Sequence, residues 1–114
     1  MLANTPIALS LLCLGILVIA VNVPLLQGKI KRNPLYGIRT PKAFESDELW
    51  FKINRYGAKQ MILWSALTAV LGALTFFIPF ATPTQLIVWF SLASLLPLLV
   101  ACIQIFLYSN KLSD

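Results

Sequence analysis

Histidine is absent from this sequence, and acidic residues are nearly so, with four Asp and Glu in 114 positions. Lacking histidine, the chain lacks the side chain that most often serves as general base, proton shuttle or metal ligand near neutral pH. No glycine-rich phosphate loop is present either. Cysteine is scarce: Cys13 and Cys102 both fall in long apolar runs. Counted along helices, their depths differ by roughly 15–20 Å, whereas a disulfide needs Cα atoms within about 7 Å. They are therefore read as packing residues. Glu45, Asp47 and Glu48 cluster at a helix start with no His or Cys beside them, which is the pattern of capping charges rather than of a metal site. The chain is accordingly read as non-enzymatic, with no cofactor and no metal.

Charge is scarce throughout. Only 11% of residues are Asp, Glu, Lys or Arg, while 59% are apolar; a soluble domain carries about 25% charged residues. The stretches 7–27, 61–80 and 86–108 hold no charge at all. Each has roughly 20 residues, which at about 1.5 Å per residue matches a hydrocarbon core of roughly 30 Å. Backbone groups in lipid must be satisfied within the segment, so each stretch is read as a helix. The expected fold is an all-α integral membrane domain over residues 1–114, with three transmembrane helices. The first stretch lacks a basic leader and a clear cleavage site, so it is read as a retained span rather than a signal peptide.

The charges that do occur are concentrated. Residues 29–59 contain eight basic and three acidic side chains, Lys111 follows the third span, and the connection 81–85 is uncharged. Lys and Arg in short loops are retained on the cytoplasmic side. The expected topology in a bacterial inner membrane puts the N-terminus outside, with segment 28–60 and the C-terminus inside. The net +5 is then explained by contact with membrane lipids, and direct binding of nucleic acid is not expected.

Segment 28–60 divides in two. Asn33-Pro34-Leu35-Tyr36-Gly37-Ile38-Arg39-Thr40-Pro41 holds two prolines and a glycine, which predicts fixed turns. Arg39 presents a planar fork of donors suited to phosphate or carboxylate. From Ser46 onward the pattern predicts a helix, with Ser46 as cap and Asp47 and Glu48 in its first turn. On a helical wheel Leu49, Trp50, Ile53, Tyr56 and Gly57 share one arc, and Lys52, Arg55 and Lys59 another. Such a cytoplasmic amphipathic helix between spans 1 and 2 can lie in the headgroup layer, and only Gly57 interrupts its passage into the second span. Asn22, Ser91, Ser94 and Gln104 are polar groups within spans; interhelical contacts of this kind bias association, so a homo-oligomer is expected.

The run Asn33 to Pro41, followed by Ser46-Asp47-Glu48-Leu49-Trp50 and Asn54-Arg55-Tyr56-Gly57-Ala58-Lys59, resembles the SdpI family of bacterial membrane proteins. In the third piece the family's Gly-Lys pair is displaced, because Ala58 separates Gly57 from Lys59. The family's named member has further spans ahead of this domain. The resemblance implies an immunity protein that protects against a membrane-active toxin peptide, with a transcriptional repressor as a second partner at the inner face. It singles out Asn33, Tyr36, Gly37, Arg39, Thr40, Pro41, Trp50, Asn54 and Arg55 as ligand- or partner-binding residues. Two alternatives stand beside it. One is a membrane enzyme, or a binder of lipid or other anionic ligands, using Arg39 and Arg55. The other is a small transporter subunit with a path past Asn22 and Gln104.

Overall fold

A computed structural model describes residues 4–112; Asp114, counted in the charge pattern above, lies outside them. The described chain forms α1 (Thr5–Leu26), a short 3-10 helix (Lys42–Phe44), α2 (Asp47–Thr75) and α3 (Pro83–Lys111). Each of the three long helices is long and apolar enough to cross a membrane. The particle is 53 Å long, so it exceeds a hydrocarbon core of roughly 30 Å and extends past the headgroups on at least one side.

Local chemistry sets the helix ends. Pro6 stands in the first turn of α1, where its missing N–H costs nothing. At the other end Gly28 adopts φ +72°, its N–H donates to Leu25 O at 3.2 Å, and Lys29 N–H donates to Pro24 O at 3.0 Å. These paired bonds form the left-handed glycine stop that satisfies terminal carbonyls. Ser46 caps α2, accepting from Leu49 N–H at 3.1 Å. The amphipathic helix and the second span are one continuous element of 29 residues, about 43 Å long. That element ends at Thr75, five residues before the predicted 80, because Pro79 forbids continuation and restricts the residue before it. Thr82 caps α3 by accepting from Gln85 N–H, while the Gln85 side chain accepts from Ala81 N–H. This reciprocal pairing starts α3 at Pro83, one turn ahead of the predicted 86.

The middle helix in sequence, α2, is also the middle helix in space. Against α1 it packs through small residues. A methyl on Gly15 would lie 2.6 Å from Ser65 O, and one on Gly72 would lie 2.8 Å from Leu12 N. Only glycine permits backbones so close, and that approach maximises dispersion where water gives no hydrophobic drive. Against α3 the seam is polar: Trp64 Nε1 donates to Gln104 Oε1 at 2.9 Å, Trp89 Nε1 to Thr75 Oγ1 at 2.8 Å, and Thr68 Oγ1 to Ala93 O at 3.3 Å. At the uncharged end the Asn4 amide donates to Thr75 O at 2.9 Å and Ile78 O at 2.7 Å, tying the start of α1 to the turn that follows α2. The outward faces carry Ile16, Leu17, Leu63 and Leu95, whereas Ser65, Thr68 and Thr75 are buried. This reversal of a water-soluble pattern is what lipid requires.

The amphipathic part of α2 turns its apolar arc inward. Trp50 and Ile53 are fully buried in a cluster with Ala43, and Ile30, Ile38, Tyr108 and Leu112 pack around it. That arc therefore faces the connecting segment and the end of α3 rather than lipid. Three of the four intraspan polar groups find partners within one chain: Ser91 and Ser94 donate to Ile87 O and Phe90 O one turn earlier, and Gln104 accepts from Trp64.

Candidate functional site

Residues 28–46 form an irregular stretch that folds back over the basic end of the bundle, and the family-like motif explains how it is held there. Asn33 is the first fastener. Its Oδ1 accepts from Leu35 N–H at 2.9 Å and Tyr36 N–H at 2.7 Å, while its Nδ2 donates to Lys31 O and Tyr36 O. One side chain thereby closes the turn 33–36, as Asn does in turns because its amide imitates a peptide group. Asn54, 1% exposed on α2, is the second. It accepts from Ile38 N–H at 2.6 Å and donates to Ile38 O at 3.3 Å and Trp50 O at 2.9 Å. The loop backbone at Ile38 is thus paired as it would be by a neighbouring strand.

Gly37 makes that contact accessible. Its φ is +110°, and an added Cβ would sit 2.8 Å from Asn54 Oδ1 and 3.0 Å from the Trp50 ring. Trp50 Nε1 donates to Ile30 O at 2.9 Å, and the Thr40 hydroxyl lies 3.0 Å from Ser109 Oγ on α3 and accepts from Ala43 N–H. Pro41 precedes the 3-10 helix as its N-terminal cap residue. The Tyr36 hydroxyl donates to Val21 O on α1. Six of the nine residues singled out from sequence, Asn33, Tyr36, Gly37, Thr40, Trp50 and Asn54, therefore act together as the fastenings of one segment.

The two arginines stand apart from that set. Both are exposed. Arg39 donates to Pro34 O at 2.5 Å. The nearby acids are committed elsewhere: Asp47 pairs with Arg32 at 3.4 Å and Glu45 with Lys42 at 3.4 Å. Arg55 instead approaches the α1 stop, its guanidinium 3.0 Å from where a Cβ on Gly28 would be. It lines a cleft that does not include Arg39, so the structure does not unite the two guanidiniums on a single ligand.

The fastened segment walls a different cleft, of about 500 Å³, lined by residues of both α1 and α3. Tyr36, Gly37, Ile38 and Thr40 form one side, and Asn22 and Phe106 lie on the two helices. The lining is mostly apolar, with Met61 of α2 and Cys102 and Ile105 of α3 completing it. Asn22 is the exception. It is 6% exposed, its Nδ2 donates to Val18 O at 2.8 Å, and its oxygen accepts no hydrogen bond from any described residue. No buried side-chain polar atom lacks a partner among the described residues, so this oxygen is open to the cleft, where an incoming donor can reach it. Beside the cleft Leu35 stands 87% exposed, an apolar side chain at the rim. Gln104 is not among the cleft residues, so it and Asn22 do not share a polar path there.

Sequence reasoning had not placed Met61, Cys102, Ile105, Phe106 or Ser109 at a site. They belong to apolar or weakly polar stretches of spans, where nothing in one sequence separates a cleft-facing from a lipid-facing side chain. Asn22 did stand out, as an amide in an apolar run.

Comparison with known proteins gives one match: the model of the SdpI/YfhL protein family aligns with residues 29–109. This interval begins just after the Gly28 stop and takes in the whole fastened segment with α2 and most of α3. No curated protein and no solved structure matches the chain.

Proposed function

The chain belongs to the SdpI/YfhL protein family, and from that premise we propose that it is an immunity-type membrane protein that captures a membrane-active peptide in the cleft between α1 and α3. The observation that carries the reading is the unpartnered Asn22 oxygen, set in an otherwise apolar cleft whose wall is the family's own segment. A peptide inserting from the bilayer brings apolar side chains and, at a helix N-terminus, backbone N–H groups with no partner of their own. Such a donor reaching Asn22 satisfies both parties, and lipid tails, which carry no donors, cannot compete for it. Capture would hold the peptide as a bound monomer and so prevent its assembly into a lesion. In this reading the basic end of the bundle faces the cytoplasm across a bacterial inner membrane, with the N-terminus outside, an orientation that the positive charge of the segment supports. The exposed Leu35 and Arg39 are then available there to a regulator such as a transcriptional repressor.

The test is protection. A susceptible bacterium expressing the chain is challenged with a panel of membrane-active peptide toxins, and wild type raises the tolerated concentration of at least one. Cys102→Trp fills the cleft from α3 and abolishes the gain at equal membrane abundance. Leu99→Trp, on the exposed face of α3 and outside the cleft, keeps it. Full protection by Cys102→Trp would refute the cleft as the site of capture.

A further inference from the structure

A second cleft, of about 530 Å³, opens between α2 and the last turn of α3, and it is cationic. Lys52, Arg55 and Lys59 line it together with Glu48, Tyr56 and Tyr108. The Tyr56 and Tyr108 rings stack at 3.9 Å, 11° from parallel. None of the three cations makes an ion pair or hydrogen bond with any described residue, and neither phenol hydroxyl has a partner among them. Elsewhere in the basic segment Arg32 pairs with Asp47 and Lys42 with Glu45, while Lys29 and Lys31 lie outside this cleft. Here three cations and two hydroxyl donors surround one space, with Glu48 the sole anion and a net charge of about two positive units.

Height along α2 identifies what can reach them. Lys59 is the last charge before the uncharged stretch, so it marks the border of the hydrocarbon. Lys52 lies seven residues earlier, about 10 Å further out at about 1.5 Å per residue. The headgroup layer on one side of a bilayer is roughly 5–7 Å thick, half the difference between about 30 Å and 40–45 Å. The cleft therefore spans that layer from its inner edge into water. Deeper in the membrane the same two helices enclose an apolar groove of about 360 Å³ that includes Leu67 and Leu96. Leu67 follows Tyr56 by eleven residues, three helical turns, so the groove lies on the same face of α2 as the aromatic pair. A ligand with phosphate above and long acyl chains below fits both spaces at once.

We propose that this cleft is a binding site for a phospholipid headgroup carrying two phosphates, of the cardiolipin type. Two negative charges balance the cleft's two net positive units, and a single-phosphate anionic lipid leaves one unmatched. Basic pockets between transmembrane helices at the cytoplasmic side take such headgroups. Arg55 grips one phosphate through its planar fork, which lysine cannot reproduce, and Lys52 and Lys59 reach the other. The site goes beyond peptide capture and is independent of it, being on a different pair of helices.

The experiment is native mass spectrometry of the full chain in mild detergent, titrated separately with cardiolipin, phosphatidylglycerol, phosphatidylcholine and inorganic pyrophosphate. Wild type retains one cardiolipin at concentrations at least tenfold below those needed for phosphatidylglycerol, and retains no phosphatidylcholine. Lys52→Gln/Lys59→Gln weakens cardiolipin retention at least tenfold, and Arg55→Lys at least threefold. Lys29→Gln/Lys31→Gln removes the same net charge outside the cleft and changes retention less than twofold. Helical circular dichroism and a monodisperse elution peak establish that each variant is folded. Equal loss in the two double variants reduces the site to general surface charge and overturns the proposal. So does equal retention of phosphatidylglycerol and cardiolipin. Displacement of cardiolipin by an equal concentration of pyrophosphate assigns the cleft to a soluble anion instead, and likewise overturns it.

Discussion

Replacing Asn54 by leucine tests the fastening of the family segment most directly, because the two side chains are similar in size and only the polar contacts are lost. Asn54 makes three hydrogen bonds, two of them to the backbone of Ile38. Trp50 O also serves as an acceptor within the helix, so losing its bond from Asn54 costs little. The Ile38 N–H and C=O are a different matter: they are part-buried, and no second described partner replaces Asn54. Leaving a buried donor or acceptor unmade costs about 1–3 kcal/mol, and the carbonyl retains some access to water. The total is therefore about 2–4 kcal/mol, paid by detachment of the segment rather than by global unfolding. At about 1.4 kcal/mol per factor of ten, the Ile38 amide should exchange with deuterium roughly 30- to 1000-fold faster than in wild type. Amides in the α1–α2 interface should be unchanged. Local exchange, followed by mass spectrometry in lipid nanodiscs, is the assay, with protease cleavage near residue 35 as an independent reading. An Ile38 amide within threefold of wild type would show that the segment is held mainly by the Trp50 cluster, and would refute the reasoning.

Further predictions rest on other contacts. Gly37→Ala combines a backbone at φ +110° with a clash against Asn54 and Trp50; it should loosen the same segment at a cost of about 1–3 kcal/mol, read as faster exchange at Ile38. Gly15→Ala should lower the melting temperature in mild detergent, since its methyl meets Ser65 O and the helices must part, at a cost of about 1–3 kcal/mol. Arg39→Lys should insert at normal abundance yet lose most protection or partner binding, because its remaining guanidinium donors are free to engage a partner; Lys31→Arg should be silent in both assays. With Cys13 and Cys102 replaced by alanine, Leu35→Cys should resist a membrane-impermeant maleimide in intact spheroplasts and react once they are opened. Labelling from outside would reverse the proposed topology.

The three helices were legible because lipid imposes a coarse rule: about 20 uncharged residues, with proline or a charge at the boundary. Span two shows where that rule fails. Residues 76–80 are as apolar as those before them, but Pro79 ends the helix at Thr75. Trp50 and Ile53 were legible as an apolar arc, but an arc does not say what covers it. Their cover is the segment they belong to and the last turns of α3, more than 50 residues away in sequence. The motif was visible as a pattern, while its chemistry was not. Asn54 and Thr40 read as ligand-binding groups, yet their hydrogen bonds are spent on Ile38 and Ser109. Asn22 ran the other way: it could be read as packing, and no described residue donates to its oxygen.

The bond between Thr40 and Ser109 has a consequence for the order of events during synthesis. The segment that walls the cleft between α1 and α3 is translated directly after α1, but its fastenings draw on the end of α3: Ser109 holds Thr40, and Tyr108 and Leu112 close the cluster over Trp50. A ribosome that has released only α1, the segment and α2 has produced a helical pair with an open wall and half a cleft. Completion of the wall therefore waits on α3: until that helix has inserted and docked, Thr40 lacks its Ser109 partner and the cluster over Trp50 stays open on one side. A chain cut short before residue 108 would be expected to reach the membrane, retain the α1–α2 pair, and still fail in protection.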